Sequence, residues 1–212
     1  MYRPVLAAAL SGASMGQLRH WRKNPPVFEP EHRTPTNRVL YSYRDVVALR
    51  TIVYLRQNDA TSLQGIRKSI RNLRQLGMVD HLSEYKLVRV GDTIVLVEDE
   101  EAIDLLKRPG NSVLAELVDV FGEFEGRVGQ VLPFQRPVAG VLVDPEVRGG
   151  FPVVEGTRVG YDQVAGLMAD SVPAEKISQF FPSVTTEAAR AAQQFAAYVE
   201  KFEVHSADRV AG

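Results

Sequence analysis

The chain has 212 residues, 45% of them hydrophobic, enough apolar material for one or two packed domains. It contains no cysteine, which excludes disulfides, thiolate metal sites and cysteine nucleophiles together and fits a reducing compartment. The net charge of −1 conceals a division: residues 1–76 hold thirteen Lys/Arg against four Asp/Glu, a surplus of nine positive charges, whereas the remainder holds twelve against twenty-two, a surplus of ten negative ones. A basic block of domain length beside an acidic one points to nucleic acid at the first and a different partner at the second; the plainer alternative is ordinary charge segregation on a solvated surface. No apolar run approaches the roughly 18 residues that a membrane span needs. The first residues, MYRPVLAAALSGASM, hold an apolar run only from Val5 to Leu10, short for a secretory signal. A cytoplasmic protein without membrane contact is expected.

In chain order, Pro4 to Leu10 reads as a short helix, with proline tolerated in its first turn. Ser11-Gly12-Ala13 breaks it, and Ser14 is a good N-cap for a second helix, Met15 to Arg22. Leu18 and Trp21 share one face of that helix, and Gln17, Arg19, His20, Arg22 and Lys23 point elsewhere. Two short helices about a Gly turn, the second rich in side chains that can read base edges, form the helix-turn-helix pattern. Asn24 to Leu40 holds four prolines, so it is a loop or wing; it carries Arg33 and Arg38. Ser42 opens the next helix, with Asp45 placed for a reciprocal cap and Val46, Leu49, Ile52 and Val53 as a buried stripe ending near Gln57. After Asn58-Asp59-Ala60, Ser62 caps a helix with Leu63, Ile66, Ile70, Leu73 and Leu76 inward, ended by Gly77.

Lys86 to Val97 alternates around Gly91-Asp92 and predicts a hairpin. The acids Glu98 to Glu101 lead into a short helix over 102–107, and Ser112 is expected to cap another, Val113 to Phe121. The stretch up to Pro137 reads as a linker with some packing. Val141 to Val143 is a strand candidate, and Arg148 to Val159 a Gly-punctuated hairpin. Three helices are expected after it. They are Asp162 to Ala169, Pro173 to Phe181 with Ser171 as cap, and Thr186 to Phe202 capped by Thr185 with Ala189, Ala192, Phe195, Val199 and Phe202 inward.

The N-terminal order resembles the DNA-binding domain of MerR-type regulators. It rests on Leu18-Arg19-His20-Trp21 after Gly12-Ala13-Ser14, a wing, Tyr41-Ser42-Tyr43-Arg44-Asp45-Val46, and a second helix pair from Thr61-Ser62-Leu63, over about residues 3–77. Position 20 is His where the family usually has Tyr or Phe, the wing is longer and richer in proline, and the dimerisation coiled coil of many members is absent. The resemblance implies that the second helix enters the major groove. Gln17, Arg19 and His20 are then candidates for bases, and Arg22, Lys23, Arg33 and Arg38 for phosphates. Ser14 at the helix start and Tyr43, whose hydroxyl either meets phosphate or packs with the wing, complete the DNA-contact set.

Residues 140–202 resemble a small bacterial trihelical domain of uncharacterised function, often found in antitoxins of VapBC-type operons. The match rests on Gly149-Gly150-Phe151-Pro152, Gly156-Thr157-Arg158, Pro173, Phe181-Pro182 and Thr185, with Ala188 departing from the acid usual there. A MerR-like head on this tail is similar to VapB-type antitoxins. That implies a protein that binds its own promoter and blocks a PIN-like ribonuclease toxin, with Arg148 and Arg158 as candidates to pair the nuclease carboxylates. The plainer reading of Arg158 is that it ties its own hairpin.

The expected fold is mainly α with short β-hairpins. It divides into 1–80, a winged helix-turn-helix; 81–137, a connecting hairpin and short helices; and 138–206, a three-helix domain preceded by a β-hairpin. The four histidines are scattered, and no phosphate loop or nucleophile elbow occurs, so no enzyme, metal or cofactor is expected. A homodimer is expected from two-fold operators, through either the Lys86–Val97 hairpin or the Val141–Val143 strand. Two other readings stand: a MerR-like regulator with a ligand-sensing tail, and an interaction module that does not bind DNA.

Overall fold

The computed structural model describes residues 1–23, 26–34, 38–58, 66, 84–90, 93–107 and 109–207. The first two helices are α1 (Pro4–Ser11) and α2 (Met15–Trp21). Gly12 joins them in the left-handed region, at φ 77°, where a side chain would be strained; a Cβ there would also fall 2.5 Å from Val131. Two short strands, β1 (His32–Arg33) and β2 (Val39–Leu40), pair antiparallel as the wing.

Helix α3 (Tyr43–Asn58) follows, with its predicted reciprocal cap formed: Asp45 N donates to Ser42 Oγ, and Ser42 N to Asp45 Oδ2, both at 3.0 Å. Its burial is wider than the predicted stripe. Every residue from Asp45 to Val53 is buried, because the helix has neighbours on all sides rather than one. The predicted helix from Ser62 lies outside the described residues except Ile66, which is helical and buried.

The predicted hairpin forms as β3 (Tyr85–Val90) and β4 (Thr93–Glu98), leading into α4 (Asp99–Leu106). Ser112 does not cap a helix. Residues Ser112–Glu116 are a strand, β5, which covers the second edge of β3, and the helix α5 is only Leu117–Phe121. The pairing partner, remote in sequence, overrides the local capping signal. The expected linker is likewise structured. It forms a hairpin, β6 (Phe124–Gly126) with β7 (Gly129–Val131), and buries Val131 and Phe134 completely.

In the last segment, β8 (Val141–Leu142) pairs with β9 (Val153–Val154), and α6 (Tyr161–Ala169) follows. The predicted second helix is a shorter 3-10 helix, Ala174–Gln179, with Pro173 at its N-cap. Ser171 is in the left-handed region (φ 69°) and is not the cap. Helix α7 (Thr186–Ala207) starts where Thr185 Oγ1 accepts from Ala188 N at 3.2 Å, and all five residues expected inward are buried.

Head and tail are packed on one another. α7 lies against α1 and α2 as well as α6, and one buried cluster runs from Leu6 and Leu49 through Phe134 to Phe195.

Candidate nucleic-acid interface

Helix α2 is short, so its ends decide its stability. Ser14 Oγ accepts from Gln17 N at 3.1 Å, and Gln17 Oε1 accepts from Ser14 N at 2.8 Å. This capping box satisfies two backbone donors that the helix start leaves open. It also occupies the two side-chain oxygens expected to face DNA. Leu18 and Trp21 fill the core. Gly16, Arg19, His20 and Lys23 recur at helical spacing on the opposite, exposed face. Arg22 is half-buried, with Nε donating to Leu18 O at 2.9 Å.

The wing is tied to this helix. The Trp21 carbonyl accepts from Val27 N at 2.8 Å and Phe28 N at 3.1 Å. Asp45 Oδ2, which caps α3, also accepts from Glu31 N at 3.0 Å. Thr34 closes the wing, its N donating to Arg38 O and its Oγ1 accepting from Arg38 N, both at 2.9 Å. The Arg38 side chain is exposed beside this turn. Arg33 is the second residue of β1; its side chain lies outside the described residues. α2 is thus joined to the wing by main-chain bonds, and the wing to the start of α3 by the Asp45 carboxylate, in one presentation of Arg19, His20, Lys23 and Arg38.

Tyr43 is placed elsewhere. Its ring is 5.3 Å from that of Phe134 and lies over Gly150, where a Cβ would collide with it. Burial pushes its hydroxyl well above the ordinary tyrosine value. Tyr2 adjoins it, donating to Gly150 O at 2.7 Å. The Gly149-Gly150 pair of the tail is therefore the seat of two head tyrosines.

The residue that sequence reasoning missed is Arg50. It is fully buried in α3, with its guanidinium donating to Leu10 O (2.7 Å), Val120 O (2.5 Å), Leu132 O (2.9 Å) and Gly122 O. It also lies 4.9 Å from the Phe124 ring centroid. One side chain thus closes the end of α1, the end of α5 and the turn after β7. Burial pushes its pKa down to about 9, still charged at neutral pH. The available signal was a lone charge within the run VVALRTIV.

In the tail, Arg148 is exposed and in the left-handed region (φ 52°). Its Nη1 donates to Arg158 O at 3.3 Å and to Gln163 Oε1 at 3.4 Å, and its guanidinium lies 5.2 Å from the Phe151 ring centroid. It is therefore Arg148, not Arg158, that ties the hairpin, together with Thr157, whose Oγ1 donates to Val154 O at 2.9 Å. The Arg158 side chain is exposed and, among the described residues, has no hydrogen-bond partner. Among the described residues no cluster of His and carboxylates could hold a metal ion, and no helix is long and apolar enough to cross a membrane.

Residues 2–73 match the family model of the MerR HTH family regulatory protein. Residues 141–196 match a model described as a protein of unknown function, DUF433. No curated protein matches the chain. Among solved structures, the crystal structure of Rv2018 from Mycobacterium tuberculosis is similar in fold, with a TM-score of 0.52 at 17% identity over 90% of this chain and 95% of that one.

Proposed function

We propose that this chain, with a MerR-family helix-turn-helix domain at its N-terminus and a DUF433 domain near its C-terminus, is a promoter-binding antitoxin that represses its own operon and neutralises a PIN-like ribonuclease. The observation that carries the DNA half is the exposed strip Gly16, Arg19, His20 and Lys23 on α2, held by main-chain bonds to a wing that presents Arg38. Arg19 and His20 supply base-edge donors, and Lys23 and Arg38 neutralise phosphates. The exposed Arg158 and Arg148, neighbours on one hairpin, support the toxin half, since guanidinium pairs with clustered carboxylates. Segments 1–80, 81–137 and 138–206 serve as DNA-binding, connecting and toxin-binding units, and the chain works by binding rather than catalysis. Of the two dimer surfaces expected, Val141–Val143 is turned into the core, with Val141 and Val143 buried, so the outer edge of β4 is the better one.

The test is titration of the chain onto its upstream DNA at several salt concentrations. Specific binding should weaken by about 0.9 log unit per phosphate neutralised for each log unit of salt. Arg19→Ala should cost roughly 1–3 kcal/mol and relax specificity, and Lys23→Ala should lower the salt slope by about one. A flat salt response sinks the DNA reading. The toxin reading is tested by co-purification with the product of the adjacent gene; nuclease activity undiminished by the chain sinks it.

A second reading, a ligand-responsive regulator, is favoured by a cleft of about 540 Å³ between the head and the tail.

A further inference from the structure

The cleft is walled by α1 on one side and by α6, α7 and the Arg148 turn on the other. Its volume falls within the range of small-molecule sites, roughly 300–1,000 Å³. Leu6, Phe151, Tyr161 and Val199 give it an apolar floor, with the Phe151 and Tyr161 rings stacked at 5.9 Å. Around that floor stand the Met1 ammonium and the Arg3 side chain from the head, and the side chains of Arg148, Asp162 and Glu203 from the tail; burial and the neighbouring Arg148 push the ammonium pKa down. Among the described residues none of these five groups is in an ion pair, so three cations and two anions are held apart around one concavity.

Two features show that the wall is shaped rather than incidental. Tyr161 is 7% exposed, and what remains exposed includes its hydroxyl, which makes no hydrogen bond among the described residues. The charges acting on that hydroxyl include Asp162 and Arg3. Gly160 lets the wall close: a Cβ there would fall 2.5 Å from Asp162 Oδ1, 2.9 Å from Arg148 Nη1 and 3.2 Å from Phe151 Cε1.

A simple anion would meet two carboxylates here, and a simple cation two guanidiniums and the Met1 ammonium. A molecule carrying both charges on an apolar body meets both carboxylates and the guanidiniums facing them, and covers the floor. We propose that the cleft binds a free amino acid with an apolar or aromatic side chain, its carboxylate on Arg3 and Arg148 and its ammonium on Asp162 and Glu203. Charge-assisted hydrogen bonds of this kind are the strong ones; Arg148 uses Nη1 to tie its hairpin, which leaves Nε and Nη2 for the ligand carboxylate. The inference deepens the ligand-responsive reading and rests on it only for any effect on DNA.

The experiment is calorimetric titration of the full chain, without DNA, using L-phenylalanine, L-leucine, phenylpropanoate and phenethylamine. Saturable binding of the amino acids is expected, with each one-charge analogue weaker by about tenfold or more. Arg3→Gln, which removes a side chain making no hydrogen bond or ion pair among the described residues, should weaken L-phenylalanine by about tenfold. Absence of saturable amino-acid binding overturns the proposal. So does phenylpropanoate binding as tightly as L-phenylalanine, or an Arg3→Gln variant that binds unchanged. Amino-acid binding that leaves promoter affinity unaltered supports the site and removes only the regulatory reading.

Discussion

The head has two faces that use the same residue types in opposite ways. On its outer face, Arg19, Lys23 and Arg38 stand exposed beside a capped helix and a wing. On its inner face, Arg50 spends its donors on four carbonyls of three separate elements, and Tyr2 and Tyr43 close on Gly150 of the tail. An arginine at the surface keeps its charge in contact with water; an arginine buried without a carboxylate becomes a clamp for main-chain oxygens. The difference teaches that charge in the basic half is not one quantity. The surplus counted along the sequence includes a residue that no DNA can reach.

The contrast is broken most strongly by alkali. Burial raises the hydroxyls of Tyr2, Tyr41, Tyr43, Tyr161 and Tyr198 above their ordinary value of about 10. Below that pH neither folded nor unfolded tyrosines ionise and their packing contributes fully; above it the unfolded chain ionises first, so stability falls as pH rises toward the folded values. Arg50, lowered to about 9, acts in the opposite direction, one group against five. The urea midpoint should therefore drop only above about pH 10, once the unfolded tyrosines ionise, with most of the tyrosinate absorbance appearing together with unfolding. Ionisation of more than two of the seven tyrosines in a still folded chain would contradict a shared core.

Next comes Arg50→Ala. It leaves buried carbonyls without donors and should cost about 3–5 kcal/mol in chemical denaturation. Arg50→Lys should rescue only part of this, because an ammonium cannot reproduce the planar fork. A loss below about 1 kcal/mol would show that water replaces the clamp.

Gly150→Ala is smaller, roughly 1–3 kcal/mol, from collision with Tyr43 and the Tyr2 hydroxyl and from φ 84°. Its effect should reach the seat of the head on the tail, read as faster amide exchange in α1. Unchanged exchange there would separate the two units.

The smallest effect is the sharpest discriminator. Tyr43→Phe should leave DNA affinity within about 0.5 kcal/mol, because the ring is turned toward Phe134 rather than the outer face. A large loss of affinity would return Tyr43 to the phosphate-contact set.

What the sequence determined was everything written in local chemistry. Gly12 breaks α1 from α2, Ser14 and Ser42 cap, prolines exclude helix from the wing, and the period of Ala189 to Phe202 orients α7. These outcomes depend on residues within one or two turns of each other, so spacing alone reveals them. Tertiary structure decided the rest. Ser112–Glu116 became a strand because β3 had an open edge; the stretch before Pro137 became core because Phe134 found Tyr43 and Phe121; and Arg50 became a clamp because three chain ends converge on it. In each case the deciding partner is remote along the chain, and its attraction exceeds the weak local preference it displaces.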